Sequence, residues 1–221
     1  MHDMHDALDP VVQAARRLPS PNESRTVMFI AATDRAGTSS AAASFAVRAE
    51  AGAGRVVWLI DLDFGSDTLH TAFQTSPWSA AGPLSRAYDA SLGKAPIYTV
   101  SPDRPSRPGG NGMAKLLSVH QVGGSRLLVS RFRRERLAPD QRFQFRDSPA
   151  WWPALRASAD WIVVDAPAIS RSGAGLSVAR HMDGVVLVLA ANFTPADDAV
   201  TLRKAVEARG GTVIGAILNR T

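Results

Sequence analysis

Apolar positions fall along this chain in two alternating rhythms. Val27 to Ala32 (VMFIAA), Val56 to Ile60 (VVWLI), Trp161 to Val164 (WIVV), Val185 to Ala190 (VVLVLA) and Val213 to Leu218 (VIGAIL) are apolar almost without interruption. Their length and their β-branched and aromatic members suit strands buried on both faces. Between them, polar residues return at helical spacing. An alanine-rich helix is predicted from Ser39 to Ala51, closed by Gly52 to Gly54, and a short one from Gly173 to His181. A third runs from Pro195 to Arg209, with proline in its first turn and Gly210-Gly211 just past its end. Repeated strand–helix units imply right-handed crossovers and a mainly parallel sheet covered on both faces, an α/β fold of three layers.

The remainder is less regular. Leu8, Val11, Val12 and Ala15 form the apolar stripe of one short helix, which Pro19-Ser20-Pro21-Asn22 ends. Residues 1–24 therefore read as a leader, and 25–221 as the domain. Leu127 to Val129 is a candidate strand. Thr99 to Gly112 is rich in Pro, Gly, Arg and Ser and reads as a loop, and Arg131 to Ser148 is basic and polar without a clear period.

Composition narrows the class. A chain of 221 residues that is 45% apolar can bury one sizeable core. No window approaches the roughly 18 uninterrupted apolar residues of a membrane-spanning helix. The start, Met1 to Pro10, is polar and acidic, without the basic end and apolar centre of a secretory signal. Cysteine is absent, which excludes disulfides, thiolate metal sites and a cysteine nucleophile. These features fit a cytoplasmic protein. The net charge is +5, and arginines cluster at 126, 131, 133, 134, 136, 142 and 146. Such a cluster suits nucleic acid, anionic lipid or an acidic protein face, or is a solvated loop.

Three segments carry candidate chemistry. Strand 27–32, turn 33–38 and a helix from 39 give the context of a phosphate-binding P-loop. Gly37 is present, Ser39 and Ser40 can serve the magnesium position, but Thr38 occupies the lysine position and Arg35 an upstream glycine position. Loss of that lysine removes a charge-assisted contact worth about 1.5–3 kcal/mol. Arg35 either supplies charge from the loop or fills the phosphates' space. Asp61 and Asp63 end the second strand two residues apart, so both can face a cation at the sheet's carboxyl edge, or they cap the helix that follows near Ser66 to His70. Asp165 ends the strand of Asp160 to Pro167 (DWIVVDAP), where P-loop proteins place an acid that orients magnesium.

Together these segments resemble the MinD/ParA-like P-loop ATPases, most closely the cytoplasmic domain of the bacterial tyrosine kinases of capsule and exopolysaccharide export. The resemblance runs from Arg25 to Asn219. Thr33 to Ser40 sits at the Walker A loop, and Val57 to His70 (VWLIDLDFGSDTLH) resembles the second Walker motif of that family. DWIVVDAP resembles Walker B, while Asp183 to Ala190, Thr194 and Val213 to Asn219 resemble the domain's tail, with Asn219 near the nucleotide base. The resemblance implies ATP and magnesium as ligands, with Asp61, Asp63 and Asp165 catalytic and Ser39, Asp61 and Asp165 around the metal. Arg35, Gly37, Thr38, Ser39, Ser40 and Asn219 hold the nucleotide positions.

The departures bear on activity. Besides Thr38, Gly65 stands where the kinases carry arginine and Asp67 where they carry proline. The kinases' ring-forming N-terminal motif is not evident in residues 1–20. No tyrosine-rich tail is seen, only Tyr88 and Tyr98. The expectation is a non-catalytic or weakly catalytic relative that binds no ATP cofactor. It would partner a membrane co-polymerase or chain-length protein from the cytoplasm, touching the membrane only peripherally, with a homodimer left open. The alternatives are an active ATPase or tyrosine kinase using Arg35, ATP and magnesium, and a ParA-like positioning ATPase that holds DNA or membrane. Nucleic acid is not an expected partner of the first reading, since Phe132, Phe143 and Phe145 among the arginines match no recognition motif.

Other sites carry less. No nucleophile-elbow spacing supports a hydrolase. His2 and His5 lie beside Asp3 and Asp6 at a terminus, and His70, His120 and His181 are isolated. Trp151-Trp152 is either a packing anchor at a helix start or a partner hot spot.

Overall fold

The computed structural model describes residues 8–19, 23–75, 78–103 and 115–219. The helices are α1 (Asp9–Arg16), α2 (Thr38–Glu50), α3 (Thr68–Gln74), α4 (Trp151–Ser158), α5 (Ala174–Val178) and α6 (Ala196–Glu207). The strands are β1 (Arg25–Ile30), β2 (Val56–Asp61), β3 (Tyr88–Asp89), β4 (Tyr98–Ser101), β5 (Leu117–Gln121), β6 (Leu127–Phe132), β7 (Arg142–Phe145), β8 (Ala159–Asp165), β9 (Gly184–Ala190) and β10 (Val213–Asn219). His2, His5 and residues 104–112 of the expected loop lie outside the described residues.

The main sheet has the order β10-β9-β1-β8-β2-β6-β5-β3. Strands from β10 to β6 are parallel, and β5 and β3 add an antiparallel edge. Successive side chains of a strand point to opposite faces. Val27, Phe29, Val57, Leu59 and Val163 therefore join one core with α1, α2 and α3, while Met28, Ile30, Trp58, Ile60 and Val164 join the other with α4 and α6. Both faces are covered, which is why these strands read as unbroken apolar runs. This is the mixed α/β architecture with a mainly parallel central sheet. The short first helix is part of the packing: Leu8, Val12 and Ala15 are buried in the α2-side core.

Three features correct the sequence expectations or decide between them. Thr99 to Ser101 of the expected loop belong to strand β4, which pairs antiparallel with β7 inside the stretch that shows no period. Phe143 and Phe145 alternate with polar residues there and pack inward on Phe64 and Phe132. Trp151 and Trp152 are fully buried, their indole N–H groups donating to Ala90 O (2.8 Å) and Asp147 Oδ1 (3.2 Å). They are packing anchors. Finally, Asp61 and Asp63 do not cap α3; its N-cap residue is Asp67, whose carboxylate pairs with Arg131 instead. Among the described residues no helix is long and apolar enough to cross a membrane.

Candidate active site

Parallel strands deliver their C-terminal residues to one edge of the sheet, and ligands of open α/β sheets bind beyond that edge. Here the edge opens into a cavity of about 520 Å³. Arg35, Gly37, Thr38, Ser39, Ser40, Asp61, Asp63, Asp165 and Asn219, every site residue singled out in the sequence, line it.

The turn between β1 and α2 is built on two residues with positive φ. Gly37 has φ +89° and Arg35 φ +63°. Arg35 therefore adopts a left-handed conformation that favours glycine, as expected of an upstream glycine position. Its side chain is exposed. Asn219 at the end of β10 is buried and donates from Nδ2 to Ala36 O at 3.0 Å, bracing the turn. A Cβ on Gly37 would collide with that carboxamide. Thr38 opens α2 half-buried, so the loop presents a hydroxyl at the start of the helix.

Below the loop, Asp61 and Asp165 end neighbouring strands at the same register position. Both are buried, at 8% and 4% exposure. Asp61 accepts the Asp63 N–H (2.8 Å), and its own N–H donates to Ser130 Oγ (2.8 Å). Burial first, and then the Asp165 charge beside it, raises the Asp61 carboxyl well above its ordinary range. Burial likewise pushes Asp165 up to about 7, aided by the Asp63 charge and opposed by the hydrogen bond from Ser39. Burial of two neighbouring carboxyls disfavours their simultaneous ionisation.

Sequence reasoning missed Arg171. It lies in the loop after β8, and its guanidinium pairs with Asp63 and with Asp34 of the phosphate loop, the latter at 3.4 Å. The Asp63 bond leads the effects that raise its pKa further. The available signal was a basic residue shortly after the Asp165 strand, on the same edge. Arg171 thus clasps the loop after β2 to the phosphate loop across the mouth of the cavity.

The donor set fits a hard cation. One hydroxyl, Ser39, and two carboxyls, Asp61 and Asp165, are oxygen donors of the kind magnesium takes together with water and phosphate. Among the described residues no cluster of three His, Cys, Asp or Glu could hold a metal by itself, so a phosphate ligand would have to complete the shell. The cavity fits a triphosphate less well. The loop geometry is present, but the lysine is not, and Arg171 is engaged by two aspartates.

No family model matches the chain, and no curated protein matches it by sequence. Solved structures do match: the fold is that of P-loop-type kinase domains, and in particular of the bacterial tyrosine kinases. The VpsO kinase domain superposes with a TM-score of 0.63 at 16% identity, covering 98% of this chain and 94% of that one. The kinase domain of the Escherichia coli tyrosine kinase Etk gives 0.55 at 19%, over 89% and 68%. The BceF tyrosine kinase domain gives 0.54 at 15%, over 94% and 72%. At these identities the likeness is one of fold.

Proposed function

We propose that this chain is a non-catalytic or weakly catalytic relative of the polysaccharide tyrosine kinases, acting as a cytoplasmic partner of a membrane co-polymerase in exopolysaccharide synthesis or export. The observation that carries this reading is Thr38 at the lysine position of a loop that otherwise keeps its shape. A missing charge-assisted contact of about 1.5–3 kcal/mol weakens phosphate binding roughly 10- to 150-fold. The carboxylates around the magnesium position are partly compensated from within. Arg171 pairs with both Asp34 and Asp63, and burial disfavours ionisation of Asp61 and Asp165. Such a site is self-sufficient without nucleotide, and binding to a partner would then be constitutive. The partner and the cytoplasmic setting come from the sequence resemblance, and the solved kinase domains support the fold on which that resemblance rests.

The test is a calorimetric titration with ATP and magnesium. Little saturable heat is expected. A micromolar signal that disappears in Ser39→Ala or Asp61→Asn would overturn the reading.

A second reading, an active kinase or ATPase, is favoured by one observation: Ser39, Asp61 and Asp165 still converge at the cavity floor. Here Arg35 supplies the missing charge, Ser39, Asp61 and Asp165 would hold magnesium, and Asp63 would accept a proton once Arg171 releases it. Transfer of radiolabelled phosphate to a tyrosine, lost in Asp61→Asn, would establish this reading. Its absence across metals and partner peptides would end it.

A further inference from the structure

The whole positive excess of the molecule sits in one short stretch. Residues 126–146 hold seven arginines against two acids, Glu135 and Asp140, a surplus equal to the chain's net charge of +5. The other residues balance. Within the stretch, Arg131 is answered by Asp67 and Glu135. Among the described residues Arg134, Arg136, Arg142 and Arg146 have no ion pair with an acid; Arg142 donates only to the carbonyls of Pro139 and Gln141. Crowding is evident next door. Burial first, and then the charges of Arg136 and Arg131, make the Arg133 guanidinium less basic than usual.

The ribbon of β4 and β7 sets these charges in order. Phe143 and Phe145 turn inward, Phe143 lying 4.8 Å from Phe132 and Phe145 5.9 Å from Phe64 between ring centroids. Residues at i, i+2 and i+4 of a strand share a face. Arg142, Gln144 and Arg146 therefore form an outward row, with Arg134 and Arg136 exposed on the turn that precedes it. The ribbon's inward rings pack on Phe132, at the carboxyl end of β6, and on Phe64, in the loop after β2, and Arg131 of β6 pairs with Asp67 of that loop.

We propose that this arginine row is a docking surface for an extended acidic segment of a partner protein. Charge complementarity selects an anion. The spacing suits an extended chain, whose alternate residues repeat at about 6.6–6.8 Å: two of its acids would meet Arg142 and Arg146, about 13 Å apart, and one between them would accept from the Gln144 amide. Inward-facing aromatics leave no ring for a nucleic-acid base to stack on. Among the described residues the exposed large apolar ones, Tyr88, Phe193, Val200 and Leu218, all lie off the row, so the row itself offers a bilayer no apolar side chain. The proposal is independent of whether the cavity binds nucleotide.

The probe is a fluorescent peptide of about eight residues with glutamate at alternate positions, compared with an isomer whose glutamates are contiguous, because extended side chains alternate faces. Vesicles with one third anionic lipid and single-stranded DNA are run beside it. At about 50 mM salt, where surface charges are weakly screened, the alternating peptide should bind saturably and lose affinity as salt rises. Arg142→Gln with Arg146→Gln should weaken it about tenfold, two exposed ion pairs being removed. Arg134→Gln with Arg136→Gln, on an exposed turn, repeats the test should the first variant fold poorly. The proposal is overturned if the peptide does not bind or the well-folded variants bind it as well as the parent. It also fails if the contiguous isomer binds as tightly, or if vesicles or DNA are held more tightly through the same arginines.

Discussion

Replacing Asp165 by asparagine should make the protein more stable at alkaline pH. Asp165 is 4% exposed, beside the buried Asp61 on the next strand. Burial, with Asp63 nearby, lifts its carboxyl from 3.8 to about 7. The folded pKa is raised above the unfolded one, so this contribution is fully present below about pH 4 and is lost as pH rises through about 7. At about 1.4 kcal/mol per unit, forcing Asp165 to ionise in the fold costs on the order of 4–5 kcal/mol. Asparagine keeps an oxygen to accept the Ser39 hydroxyl and removes both that cost and the repulsion on Asp61. Urea unfolding at pH steps between about 4.5 and 8.5 measures the difference, provided the denaturant slope is unchanged. The variant should gain about 2–4 kcal/mol over the parent at the upper end and little at the lower. A variant that is less stable at alkaline pH, or a difference that does not change with pH, would refute the buried-pair electrostatics.

Two further outcomes follow from the geometry. Gly37→Ala places a side chain at φ +89° and against the Asn219 carboxamide, so it should destabilise by about 1–3 kcal/mol and lower Tm by several degrees. Combining it with Asn219→Ala should recover part of that loss in a double-mutant cycle, and full additivity would show that the two do not touch. His70, buried against His120 at 4.8 Å between ring centroids, has its pKa lowered to about 4, by burial first and then by His120. Its folded pKa lies below the unfolded value, so the stability it supports is present above about pH 6.5 and lost as pH falls toward 4. His70→Leu should flatten that acid limb in thermal melts, and an unchanged limb would contradict the assignment.

What the sequence reveals depends on which surfaces an element buries. β1, β2, β8 and β9 are legible as apolar runs because helices cover both faces of the sheet, and the carboxylates are legible because each ends such a run. β10 reads the same way yet is an edge strand, with Ala216 and Leu218 exposed; an unbroken apolar run does not say how many neighbours a strand has. β4 and β7 are obscured for another reason. They pair across more than forty residues of chain, and each strand is four residues long, the second begun by an arginine. The inward Phe143 and Phe145 are visible only once a partner strand is known. Arg171 escapes for want of any pattern: its partners Asp34 and Asp63 are distant in sequence and meet it only when three loops converge at one edge. The pairing of His70 with His120 likewise depends on α3 packing against the sheet beside β5 and β6.

Whether a single missing cation silences this site is tested most directly by Thr38→Lys, titrated with ATP and magnesium beside the parent protein. Restoring the ammonium should strengthen binding by at least about tenfold, one charge-assisted contact, and Asp61→Asn should abolish the gain. A parent protein that already binds at micromolar concentration, with the lysine adding nothing, would contradict the account.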